Sequence, residues 1–214
     1  MFSLSRDRWR KLDNAAKIFP ATSSHRDTRV FRFYCECCDP IEPDALQDAL
    51  DITIKKYPMF LSVLRKGVFW FYMEQSNLRP VVEEEDTQPC LLLYHHDKKT
   101  LLFKVTYYKN RINLEVFHAL TDGTGASQFL RELVRNYLVC RYPQAKLPDV
   151  SFTEPDMTVQ DQETDGFTKY YKKEFKKTEK KPKAFQLTGP KTAHGELNIT
   201  EGRVSCKALL AKAK

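Results

Sequence analysis

No run in this 214-residue chain approaches the roughly eighteen apolar residues that a membrane-spanning helix needs. Its N-terminus, MFSLSRDRWRKLD, lacks the apolar centre of a secretory signal. The six cysteines are therefore expected as reduced thiols in the cytoplasm. Three of them, Cys35, Cys37 and Cys38, cluster in one strand-like stretch, and Cys90, Cys140 and Cys206 are scattered. Cys35 and Cys38 are three residues apart, but no second pair and no nearby histidine completes a zinc site, and no metal is expected. No G-x-S-x-G turn is present, which argues against the usual serine hydrolase, and Cys140 has no evident histidine partner. No internal repeat is visible. The net charge of +7 is unevenly placed: residues 168–183 hold eight lysines and two glutamates, so the rest is close to neutral. A broad nucleic-acid groove is not indicated, and no nucleic-acid partner is expected. The lysine stretch reads as a solvated segment, with attraction of phosphates as its functional alternative.

A 42% hydrophobic share with 12% aromatics indicates a folded chain. It is organised around residues 116–125, VFHALTDGTG. Before them Ile112, Leu114 and Val116 alternate with Asn113 and Glu115, as in a half-buried strand. His118 falls on the apolar side of that alternation, so it should point inward. After them Ala126, Phe129, Leu130, Leu133, Val134, Tyr137 and Leu138 form one helical face. Gly123 and Gly125 sit at the sharp turn between, where positive φ is expected.

Residues 1–20 read as an amphipathic helix ending at Pro20, and 28–37 as a strand. Residues 43–57 read as a helix with Pro43 in its first turn and Leu46, Ala49, Leu50 and Thr53 on its inner face. Residues 59–64 and 68–73 read as a hairpin around Arg65-Lys66-Gly67, its second arm apolar throughout. Residues 80–85 begin strand-like. His95 and His96 face opposite ways and read as part of a polar loop. Residues 101–108 form a further strand that turns at Lys109-Asn110 into the strand delivering His118. Beyond the helix, 143–166 read as a connection, 185–187 and 195–199 as short strands, and 202–214 as a helix.

His118-Ala-Leu-Thr-Asp122-Gly123 resembles the HxxxDG motif of the chloramphenicol acetyltransferase-like superfamily. The flanks Leu12-Asp13-Asn14-Ala15-Ala16-Lys17, Phe69-Trp70-Phe71-Tyr72 and Leu114-Glu115-Val116-Phe117-His118 resemble its bacterial alcohol acetyltransferase branch. The resemblance implies an α+β fold, a mixed, largely antiparallel sheet flanked by helices: one half (a two-layer α/β sandwich) of a two-half enzyme. It assigns 1–142 to an N-terminal half-domain, 143–184 to the connection, and 185–214 to crossover strands and the start of a helix. A C-terminal half is then missing, so a partner half or self-association is expected.

The activity implied is transfer of an acyl group, with acetyl the first expectation, from acyl-CoA as co-substrate to an alcohol or amine, with no permanently bound cofactor. His118 would be the general base, a role suited to a neutral imidazole, acting without an acyl-enzyme. Asp122 and Gly123 would support the catalytic loop, Asp122 by pairing with an arginine for which Arg29 and Arg32 are candidates. Two alternatives remain: a catalytically inactive binding or assembly module of the same fold, and a condensation-type enzyme using carrier-protein thioesters. The condensation type usually shows HHxxxDG, whereas Phe117 here takes the place of the first histidine.

Overall fold

The computed structural model describes residues 9–68, 70–96 and 98–145, and further on 183–186, 188–190, 192, 193, 196 and 199–213. Nearly all of the expected connection 143–184, with the lysine stretch, lies outside these residues. The chain divides into two units, 1–176 and 177–214.

The first unit opens with a strand, β1 (Trp9–Lys11), and a short helix, α1 (Ile18–Thr22). This corrects the single helix expected over 1–20. Asp13 ends the strand by accepting the Ala16 N–H at 2.6 Å, a local bond that favours a turn over continued helix. β2 (Val30–Glu36) and α2 (Pro43–Lys56) follow as expected, and Leu46, Ala49, Leu50 and Thr53 are buried. After a 3-10 turn come β3 (Ser62–Lys66), β4 (Phe71–Gln75), β5 (Val82–Glu84), β6 (Phe103–Tyr108), β7 (Arg111–Phe117) and α3 (Gly123–Arg141).

Two sheets result. One has the order β1-β4-β3, and the other β2-β7-β6-β5, antiparallel except where β5 runs parallel to β6. The β3–β4 hairpin forms, but its turn sits later than expected: Lys66 pairs with Phe71, and Gly67 N–H bonds Trp70 O at 2.7 Å. Val68 and Trp70, read as part of an apolar arm, are therefore exposed at the tip. Apolar content alone does not locate a turn; here the strand pairing does.

β7 is a further correction. It lies between β2 and β6 and is buried on both faces, Asn113 and Glu115 included. On one face Ile112, Leu114 and Val116 share rows with Phe33, Phe31, Val105 and Phe103. Helices α2 and α3 pack there: Phe103 meets Phe129 at 5.5 Å and Phe60 at 5.3 Å, and Phe60 stacks on Phe129 at 4.0 Å. On the opposite face Arg32 pairs with Glu85 and lies 3.7 Å from Glu115. Glu115 also accepts the Cys90 N–H at 2.8 Å, and Asn113 bonds Thr106 at 3.3 Å. Burial pushes the Glu115 carboxyl up, while the Cys90 N–H and Arg32 pull it down. The segment before β6 covers this face: Tyr94 stacks on Phe117 at 5.5 Å.

α3 buries Ala126, Phe129, Leu130, Leu133 and Tyr137 of the expected face, leaves Val134 and Leu138 half-buried, and also buries two polar residues, Glu132 and Asn136. Glu132 pairs with Lys56 at 3.1 Å. Asn136 donates to Thr53 at 2.9 Å, and Thr53 donates to the Ala49 carbonyl at 2.7 Å. In the second unit the described residues hold one helix, α4 (Cys206–Ala213), and no strand. Phe185 is 89% exposed, and the strands expected over 185–187 and 195–199 lie partly outside the described residues.

Candidate active site

β7 ends at Phe117 and the chain turns at once. Leu120 N–H bonds Phe117 O at 2.9 Å, and His118 N–H bonds Arg29 O at 2.9 Å. The imidazole of His118 lies half-buried between two aromatic rings. Phe19, from α1, stacks on it face to face, with centroids 4.2 Å apart and planes 10° apart. Phe31, from β2, stands 5.0 Å away and tilted by 59°. Nδ1 is buried and makes no hydrogen bond among the described residues, whereas buried polar atoms are normally paired. The ring is therefore oriented by aromatic contact and not by a bond at Nδ1.

Asp122 is the N-cap of α3. Its backbone is extended (φ −84°, ψ −177°) and its Oδ1 accepts the Gly125 N–H at 2.9 Å. Neither candidate arginine reaches it. Arg29 pairs with Asp27 at 3.2 Å, and Arg32 is taken up by Glu85 and Glu115. Among the described residues no arginine pairs with Asp122, so its exposed carboxylate serves the helix start.

The glycines also differ from expectation, because neither Gly123 nor Gly125 has positive φ. A β-carbon on Gly123 would meet only Phe33, at an ordinary 3.7 Å. One on Gly125 would lie 2.1 Å from the Thr121 hydroxyl oxygen. A side chain at Gly125 would therefore force the Thr121 side chain to move. The left-handed residue near the site is Arg29, at φ 55°.

Phe19 and Phe31 are the site residues that sequence reading missed. β-Branched and aromatic content placed Phe31 in a strand, but only the register with β7, Phe31 opposite Val116, puts it beside His118. Phe19 falls on the apolar side of the helix expected over residues 1–20, but that spacing gives no sign that it packs on His118. His95 and His96 are exposed, with Tyr94 Oη 3.3 Å from His96 Nδ1, and take no part. Among the described residues no cluster of His, Cys, Asp or Glu is arranged to hold a metal ion, and no helix is long and apolar enough to cross a membrane.

No family model and no curated protein matches the chain. Solved structures do. The first condensation domain of the calcium-dependent antibiotic synthetase, in complex with a substrate analogue, is similar with a TM-score of 0.56 at 16% identity, over 76% of this chain and 43% of that one. An arginine-to-alanine variant of the starter condensation domain of rhizomide synthetase, in complex with C8-CoA, is similar with a TM-score of 0.51 at 13% identity, over 65% of this chain and 38% of that one. The chain spans about two fifths of the length of these domains. The four-stranded mixed sheet with α2 and α3 on one face is thus a fold of the condensation-domain and chloramphenicol acetyltransferase-like kind.

Proposed function

We propose that this chain carries the acceptor-activating part of an acyltransferase. The enzyme moves an acyl group, with acetyl as the first candidate, from a coenzyme A thioester to a small alcohol or amine. The observation that carries this reading is the orphaned imidazole. A histidine that merely fills a core has its nitrogens bonded, whereas His118 is clamped at the end of the central strand with Nδ1 buried and, among the described residues, unpaired. The proton-accepting role then falls to Nε2. Nε2 takes the proton of the acceptor hydroxyl or amine as its oxygen or nitrogen attacks the thioester carbon. The tetrahedral intermediate collapses with cleavage of the C–S bond, and the thiolate leaves with the proton that the imidazole returns. No acyl-enzyme is formed. A second half, or a second copy, supplies the rest of the cleft. The free thiols suit a cytoplasmic setting.

A second reading keeps the chemistry and replaces coenzyme A by a carrier-protein thioester. The likeness to condensation domains favours it. The residue before His118 counts against it: Phe117 is fully buried on the opposite face of the sheet, stacked on Tyr94. No second histidine is therefore presented there.

The test is thiol release from acetyl-CoA across a panel of alcohols and amines, with the full-length polypeptide beside its His118→Ala variant. Acceptor-dependent release that falls by about a hundredfold or more in the variant supports the reading. Equal release from both removes His118 from the mechanism. Release from carrier-bound but not free thioesters selects the second reading. No release from either donor points to an inactive binding module.

A further inference from the structure

Three contacts reach the histidine turn from the stretch that links α1 to β2. Phe19 supplies the flat face for the imidazole, with centroids 4.2 Å apart. The Arg29 carbonyl accepts the His118 backbone N–H at 2.9 Å. Phe31, two residues on, closes the other side.

The stretch is itself tied down. Ser23 Oγ donates to Thr28 O at 3.2 Å, and Thr28 Oγ1 donates to Cys90 O at 2.8 Å. Arg29 adopts φ 55°, which costs a non-glycine residue of the order of 1 kcal/mol. The strain is held by Asp27, whose carboxylate accepts the Arg29 N–H at 3.3 Å and pairs with its guanidinium at 3.2 Å. Left-handed backbone at this residue aims its carbonyl at the histidine turn.

We propose that the α1–β2 stretch positions the His118 imidazole: Phe19 fixes the plane of the ring by stacking, and Arg29 fixes the backbone that bears it. The catalytic meaning of this inference rests on the acyl-transfer reading above. A ring held by one flat contact rotates about χ2 when that contact is lost, and misplacement of a base by about 1 Å costs up to a hundredfold in rate. Phe19 and Arg29 are positioning residues and touch no substrate in this scheme.

The experiment compares Phe19→Leu with Phe19→Tyr in the full-length polypeptide, by NMR of the histidine ring protons and by steady-state kinetics. Stacking shifts the His118 ring protons upfield through the ring current of residue 19. Phe19→Leu removes that shift and lowers kcat by about tenfold with KM near its parental value, while Phe19→Tyr retains both. Arg29→Gly, which accepts positive φ readily, keeps the shift, and Arg29→Val loses it. His118 ring protons unmoved in Phe19→Leu, or a kcat in Phe19→Leu equal to that of Phe19→Tyr, would overturn the proposal. The two readings fail separately. An inactive parent with a ring shift lost in Phe19→Leu sinks acyl transfer and leaves the positioning. An active parent indifferent to residue 19 sinks the positioning and leaves acyl transfer.

Discussion

Asp122 offers a test that separates two roles of one carboxylate. Its Oδ1 accepts the Gly125 N–H at 2.9 Å and its own carbonyl accepts the Ala126 N–H at 3.0 Å, at the start of a nineteen-residue helix. Asp122→Ala removes the side-chain acceptor and leaves that N–H to water. Loss of an N-cap costs about 1 kcal/mol, within a range of about 0.5–2. Asp122→Asn keeps an oxygen in the same place and loses only the charge at the positive end of the helix, worth about 0.3–1 kcal/mol at an exposed site. The expected order of stability is parent, then asparagine within about 1 kcal/mol, then alanine. With a urea slope of about 2 kcal/mol per molar, the alanine variant should unfold at a midpoint about 0.5 M lower. If the proposed acyl transfer holds, its rate should follow the same order, with asparagine near the parent. If asparagine proves as damaging as alanine in both assays, the charge itself is required, and a cation acts on Asp122 in solution.

Two further outcomes are expected elsewhere in the first unit. Thr53→Val leaves the buried Asn136 amide without its acceptor and should cost about 1–3 kcal/mol, whereas the double variant Thr53→Val/Asn136→Leu should recover much of it; additive losses in chemical denaturation would refute the pairing. Cys35 should be the first thiol alkylated at neutral pH. The Cys37 thiol donates to its sulfur and brings Cys35 down to about 7 while pushing Cys37 itself up. Peptide mapping after brief alkylation should find Cys35 modified, and Cys37→Ala should slow it, because removing the donor raises Cys35 and reduces its thiolate fraction.

The alternation Ile112, Leu114, Val116 located β7, and the run from Ala126 to Leu138 located α3, because each pattern is local and repeats. The polar side of β7 misled for a physical reason. Asn113 and Glu115 look like solvent-facing residues until Arg32 and Glu85, distant in sequence, are placed beside them. Pairing across strands lets polar side chains be buried, and sequence alternation carries no record of it. The same gap hid the ring contacts of His118. The motif marked the residue and its helix, but its neighbours come from elements about ninety residues earlier in the numbering. Residues 1–20 misled differently: apolar spacing suggested a helix, but pairing with β4 and the Asp13 turn decided the local structure.

The position of β2 at the edge of its sheet has a kinetic consequence. β6 and β7 are joined by a two-residue turn and can pair within microseconds of being free to do so. β2 must close a loop across roughly half of the first unit before Val30 meets Phe117 and Glu36 meets Arg111, and such distant closures come late. Both aromatic walls of the imidazole arrive with that late strand or just ahead of it. During refolding the histidine turn should therefore form on an exposed hairpin, and its rings should close around it only as the sheet is completed.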